Sequence, residues 1–262
     1  MTHFFHDRQH RHTYASRSAD SAWLQQMSQL IDWAGKTAAD IGCGGGIYSK
    51  AMLELQAARV IGIDYSSEML KAANESNPDP RIRYQMGEAT QTGLADNEVD
   101  IVFNRALIHH LTDLPAYLQE AKRIIKPGGF IIMQNRTPDD CFLPGSEFHI
   151  RGYLFQKFPH LKEIERRRRY TDLEVKSDLI QAGYLSVKST TIWEVRRAYQ
   201  TLSELAKDMG GRIGRSILHH LSDDELHELI QYITDELQHV KLETIVEQDR
   251  WTVWTAKKPL TI

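Results

Sequence analysis

The segment AADIGCGGGIYSKAML, residues 38–53, passes from a short apolar run into a cluster of glycines and then into a helical pattern. Gly42, Gly44 and Gly46 alternate within five residues, and Asp40 stands just before them. A strand, a glycine turn and a helix in this order open a βαβ unit in which the backbone can approach a ligand closely. A dinucleotide fingerprint would need its third glycine at position 47, where Ile47 stands, so the spacing weighs against NAD. Asp40 is an awkward neighbour for a pyrophosphate and a suitable one for a ligand that carries positive charge.

Outward from this segment, short apolar runs alternate with helical periodicity from Thr37 to Phe130. TAADI, ARVIGI, IRYQM, VDIVFN and FIIMQN read as strands, and 47–55, 66–75 and 113–125 as the helices between them. That alternation predicts a parallel sheet with crossover helices on both faces. Upstream, Trp23, Leu24, Met27, Leu30 and Ile31 share one helical face. Downstream, a helix capped by Thr171 and stopped at Gly183 leads into a further strand. Two charged amphipathic stretches follow at 198–209 and 222–240, separated by GGRIG, and RWTVWTA reads as the last strand. The expectation is an α/β chain: a doubly wound, mostly parallel, seven-stranded sheet with an inserted helical lid. Its core spans 37–196 and 247–262, the lid and acceptor region 197–246, and a helical segment at 1–36 lies over the ligand site.

The chain has 262 residues, 41% apolar and 26% charged, with a net charge of -3. This balance gives no overall attraction to nucleic acid or to an anionic surface. No apolar run is long enough to span a membrane, and MTHFFHDRQHRH lacks the core of a secretion signal, so a cytoplasmic location is expected. Cys43 and Cys141 form no CxxC pair and no disulfide framework, so no metal is expected. His3, His6, His10 and His12 read as a polar terminus without function. The run Arg166–Arg169, beside Glu163 and Glu165, reads as a solvated face, and no RNA-binding module is recognisable.

Asp64 ends the second strand, where a carboxylate can accept both hydroxyls of a ribose. The series DIGCGGG, GIDYSSEML, YQMGEATQTGLADNEVDIVFNRALIHHLTD and RIIKPGGFIIMQ then resembles the class I S-adenosylmethionine-dependent methyltransferases. Within that family it is most similar to the small-molecule group that includes quinone-biosynthesis C-methyltransferases. The resemblance implies a Rossmann-like core, S-adenosyl-L-methionine as cofactor, and a small-molecule acceptor. It implies that Asp40, Gly42 and Gly44 face the methionine end, Asp64 the ribose, and Tyr65 one face of the adenine. Glu88, before Ala89, stands where the family usually carries an Asp that accepts from the adenine amino group. Asn104 would turn its backbone carbonyl toward the ligand's amino group. Tyr14 and Arg17 match the N-terminal segment that folds over the cofactor in this group. His109 and His110 follow the fourth strand as candidates for a general base. Oligomeric state, with a homodimer among the options, is not written in the sequence.

One outcome follows from the glycine spacing together with what the resemblance implies. S-adenosylmethionine and S-adenosylhomocysteine raise the melting temperature, whereas NAD and NADP leave it unchanged. At a hundred times its Kd the ligand adds about 2.7 kcal/mol, a shift that thermal denaturation resolves.

Overall fold

The computed structural model describes residues 19–212, 214–240 and 244–260. These divide into two units, one comprising the described residues through Asn135 with Asp172–Ile192 and the segment from Thr252, the other Arg136–Thr171 with Trp193–Trp251. The second unit thus draws on a wider set of residues than the segment 197–246.

Seven strands form one sheet: β1 (Thr37–Ile41), β2 (Arg59–Asp64), β3 (Ile82–Met86), β4 (Val99–Arg105), β5 (Ile125–Asn135), β6 (Leu185–Tyr199) and β7 (Ile245–Lys257). Their order is β3-β2-β1-β4-β5-β7-β6. β1 pairs in parallel with β2 and β4, and β5 pairs in parallel with β4 and antiparallel with β7. The sequence order therefore reverses on either side of β1, the position where open α/β sheets bind ligands beyond the strand carboxyl ends. Register aligns those ends: Ile41 lies opposite both Ile63 and Asn104, and Asn104 opposite Met133. Asp64, Asn104 and the Gln134–Asn135 pair consequently finish neighbouring strands at one rim.

The first unit's helices are α1 (Ser21–Leu30), α2 (Ile47–Glu54), α3 (Ser67–Ser76), α4 (Leu114–Ile124) and α8 (Asp172–Gln181), the labels α5 to α7 belonging to the second unit. Polar caps start three of them: Asp20 accepts from Ala22 N–H at 2.9 Å, Ser66 from Met69 N–H at 3.3 Å and Asp113 from Ala116 N–H at 2.8 Å. Trp23 and Met27 bury the inner face of α1, and Trp23 packs edge-on against Tyr48 and Phe103. Its indole N–H also donates to Gln134 Oε1 at 2.8 Å, which ties α1 to the end of β5.

In the second unit α5 (Pro138–Cys141), α6 (Ile150–Lys157), α7 (Leu161–Arg168), α9 (Leu202–Gly210) and α10 (Asp223–Leu237) surround their own apolar core. Ile150, Leu154, Phe155, Leu205, Met209, Leu229 and Ile233 belong to it. Reciprocal hydrogen bonds between Ser222 and Glu225 open α10, and a similar pair between Thr137 and Asp140 opens α5. The expected helix at 198–209 begins only at Leu202, because Ala198 and Tyr199 still extend β6 and Thr201 caps the helix by accepting from Glu204 N–H.

The run Arg166–Arg169 corrects the sequence reading. Arg167 is exposed and pairs with Glu163, but Arg169 and Glu165 are buried and hydrogen-bonded to each other. Arg168 also donates twice to Glu165, at 2.6 and 2.8 Å. A completely buried carboxylate needs paired cations, and the i,i+3 and i,i+4 spacing along α7 supplies them.

The junction between β1 and α2 allows a sharp test. Gly46 sits at φ +77°, and a Cβ there would stand 2.2 Å from Tyr84 Oη. Gly46→Ala loses about 1–2 kcal/mol from the left-handed backbone alone and more from the clash, read as a lower urea midpoint at unchanged m-value.

Candidate functional site at the strand ends

The glycine turn is held by backbone bonds that leave its outer edge open. Gly42 and Cys43 both donate N–H to Ile63 O, at 2.7 and 3.0 Å, and Gly46 N–H closes the turn on Cys43 O at 2.9 Å. Asn77 Nδ2 donates to Gly45 O at 2.7 Å. Gly42 and Gly44 adopt φ of +73° and +52°, and an added Cβ at Gly42 would meet Leu107 Cδ1 at 2.9 Å. Glycine is needed here for both conformation and approach.

Two carboxylates lie under this turn. Asp64 accepts Gly44 N–H through Oδ2 and Ser66 N–H through Oδ1, each at 2.9 Å. A carboxylate offers about four lone-pair positions, so acceptor capacity remains for a ligand hydroxyl. Burial raises the Asp64 pKa above the ordinary carboxylate value, and these backbone bonds oppose the rise. Asp40 is 2% exposed and accepts Ser49 Oγ–H at 2.6 Å. Burial pushes its pKa up to about 7, the Ser49 bond opposes this, and the nearby Asp64 charge adds to it. A cation beside Asp40 would therefore relieve a strained ionisation.

Beyond Asp64, Tyr65 is exposed at the end of β2 and Met86 at the end of β3, paired in register with Asp64. An aromatic face and a polarizable thioether on neighbouring strand ends suit a flat heterocycle. Glu88 is exposed, and its backbone exchanges hydrogen bonds with Gln91; Ala89 beside it is half-buried. Met86, the last residue of β3, was not singled out by the sequence.

On the other side of β1, Asn104 is fully buried and donates through Nδ2 to Tyr117 Oη at 2.6 Å. Its Oδ1 is buried and has no partner among the described residues. His109 follows, with Nδ1 at 2.9 Å from Asn135 Oδ1, and the His110 ring lies 4.0 Å from the His109 ring. An amide oxygen can only accept, so this contact calls for a proton on Nδ1, and in the neutral imidazole that leaves the lone pair on Nε2. Asn135 was also not singled out, although the polar pair ending FIIMQN parallels the Asn that ends VDIVFN. Tyr14 and Arg17 lie outside the described residues.

These residues fit the cofactor that the resemblance implies. The glycine turn forms a cradle that side chains would fill, Asp64 keeps acceptor capacity, and Asn104 Oδ1 is an orphaned buried acceptor. No group of three or more His, Cys, Asp or Glu side chains among the described residues could hold a metal. The hollow lined by Ser28, Asp32, Trp33 and Gln56 carries none of this chemistry.

Comparison with known proteins agrees with the sequence and the fold. The methyltransferase domain family matches residues 39–133. A ubiquinone biosynthesis O-methyltransferase of Pseudomonas putida strain W619 is 30% identical over 198 residues, covering 70% of this chain and 83% of that protein. The relative from Leptothrix cholodnii, with the same name, is 29% identical over 59% of this chain and 70% of its own. These relatives methylate oxygen by name, where the sequence alone drew a likeness to carbon methylation. Among solved structures, an Anabaena variabilis protein assigned as a methyltransferase of antibiotic biosynthesis superposes with a TM-score of 0.69 at 23% identity. The match covers 90% of this chain and 98% of that one. A phosphoethanolamine N-methyltransferase of Haemonchus contortus, solved with S-adenosyl-L-methionine, gives 0.56 at 20% identity over 92% of this chain and 54% of that one.

The state of Asp40 has a measurable sign. The folded protein holds its proton more tightly than the unfolded chain does, so stability falls as pH rises from about 4 toward about 7 and then levels. The slope from this one group is at most about 1.4 kcal/mol per pH unit. In Asp40→Asn that contribution disappears from urea denaturation measured across the same pH range.

Proposed function

We propose that this chain, which belongs to the class I S-adenosylmethionine-dependent methyltransferases and transfers a methyl group to a small-molecule acceptor, methylates an oxygen nucleophile with His109 as general base. The observation that carries this reading is the bond from His109 to Asn135. It orients the imidazole and sets the tautomer whose Nε2 can take a proton.

S-adenosyl-L-methionine, when bound, supplies a methyl group already activated by its sulfonium charge. The remaining work falls to the chain: to hold the reactants in line, exclude water and accept one proton. We assign Asp40, Gly42 and Gly44 to the methionine end, where a buried carboxylate and close backbone approach suit an ammonium group. Asp64 takes the ribose hydroxyls, Tyr65 one adenine face, and Glu88 with Ala89 the adenine amino edge. Asn104 offers its backbone carbonyl to the ligand's amino group. His109 is half-buried just beyond the end of β4, and His110 is the secondary candidate. Oxygen as the nucleophile draws support from the names of the relatives and from the presence of a positioned base. Among the described residues no helix is long and apolar enough to cross a membrane, and we place the reaction in the cytoplasm.

The test is kinetic. With an acceptor identified from a panel of phenols and labelled cofactor, His109→Gln lowers kcat by about 10²–10⁴-fold, the range of a positioned base. S-adenosylhomocysteine affinity, measured by calorimetry, stays within about twofold, since a proton acceptor contributes little to cofactor binding. Unchanged kcat would remove His109 from the mechanism.

A further inference from the structure

Asp40 belongs to a row of residues that crosses the sheet. It lies opposite Gly62 on β2 and Phe103 on β4, and Gly62 lies opposite Tyr84 on β3. Side chains in such a row point to one face. Gly62 carries none, so the Tyr84 ring lies over β2, where a Cβ on Gly62 would stand 2.5 Å from Tyr84 Cδ1. From there the phenol reaches beneath the glycine turn, leaving no room for a Cβ on Gly46 and donating to Asn77 O at 3.3 Å. Its hydroxyl is also a hydrogen-bonding neighbour of Ser49.

Ser49 joins this tyrosine to Asp40. It is fully buried in the first turn of α2 and serves the carboxylate twice, from Oγ–H to Oδ2 at 2.6 Å and from its backbone N–H. A serine has a single O–H, and Asp40 takes it, so Ser49 can only accept from the phenol. The charged group that acts on Asp40 among the described residues is a second carboxylate, Asp64 on β2. The Cys43 thiol in the turn, the Tyr84 phenol and the Tyr117 phenol on α4 also lie within electrostatic reach; burial raises the pKa of all three, which stay neutral. Burial, with Asp64 adding to it, accounts for the Asp40 value of about 7, and the Ser49 donors keep it from rising further. A carboxyl so placed has neutral donors and a like charge around it, and it lacks a cation.

We propose that Ser49, backed by Tyr84, is a positioning residue for cofactor capture: it keeps Asp40 able to ionise, so that the ammonium group of the cofactor is seated as the carboxyl proton leaves for solvent. The ligand keeps its own protons, Asp40 gives up one, and no other bond changes. This role for Ser49 rests on the assignment of Asp40 to the methionine end made above.

Calorimetry of S-adenosylhomocysteine binding to the full chain, in buffers of different ionisation enthalpy, counts the protons released. Wild type releases close to one at about pH 6 and close to none at about pH 8, because the free Asp40 carboxyl titrates between them. Its affinity at about pH 6 is about tenfold below the plateau, since only the ionised fraction is competent. Asp40→Asn abolishes this release, which separates Asp40 from every other titrating group. Ser49→Ala moves the affinity profile toward higher pH, so that release persists at about pH 8 and the lost affinity returns by about pH 9. Ser49→Thr restores the hydroxyl and moves the profile back. A merely structural role would lower affinity by the same factor at every pH. If Ser49→Ala does not fold, Tyr84→Phe is read in its place for a shift in the same direction. Equal release by wild type and Asp40→Asn, or a variant profile parallel to that of wild type, overturns the role of Ser49. Absence of S-adenosylhomocysteine binding at every pH would instead remove the methyltransferase reading.

Discussion

The convergence of the Gly42 and Cys43 N–H groups on the Ile63 carbonyl is the contact on which the strand-end site depends. It bends the chain away from β1 at the level where β2 ends, and so brings Gly44 within hydrogen-bond distance of Asp64. Three left-handed glycines make the bend sterically accessible, and each backbone donor used internally fixes the direction of those that remain. Asp40 is then enclosed beside the first turn of α2, and it is this burial, opposed by the Ser49 hydrogen bond, that raises its pKa. The electrostatics of the site thus follow from a turn only a few residues long.

The first unit was largely legible because its strands are covered on both faces and its helices are capped by side chains of recognisable type. The glycine spacing by itself points away from a dinucleotide. His109 was visible as a candidate, but the feature that gives it chemical direction was not. Asn135 lies 26 residues further along, and only the parallel pairing of β4 with β5 brings it to the imidazole. In the second unit, α6 buries Ile150, Arg151, Gly152, Tyr153, Leu154 and Phe155 in succession. A helix covered all round presents no amphipathic stripe, so periodicity could not find it. Arg169 and Glu165 showed their spacing in the sequence but not their burial, which depends on segments distant in the chain.

The two units solve the problem of buried charge differently. In the first, carboxylates are offset mainly by backbone N–H groups and hydroxyls, which leaves them responsive to a bound cation. In the second, guanidinium forks surround them; Tyr199 Oη joins Asp208 and Glu247 at 2.9 Å each, and Arg215 reaches both carboxylates at 2.6 Å. Such clusters add little net stability compared with apolar packing, but misplacing one member strands the others in a medium of low polarity. They consequently favour a single arrangement of α6, α7 and β7 over looser alternatives.

The order β5-β7-β6 also shapes how the protein is made. β7 is translated after both of the strands it separates, so during synthesis β5 and β6 must wait with unpaired edges. The same late segment brings Asp249, which Arg151 meets across 98 residues, and until then both Arg151 and Arg136 lack that carboxylate. Placement of this one strand both completes the sheet and supplies that carboxylate. Before that event, the nascent chain presents an open strand template of the kind that chaperones shield and that other chains can join.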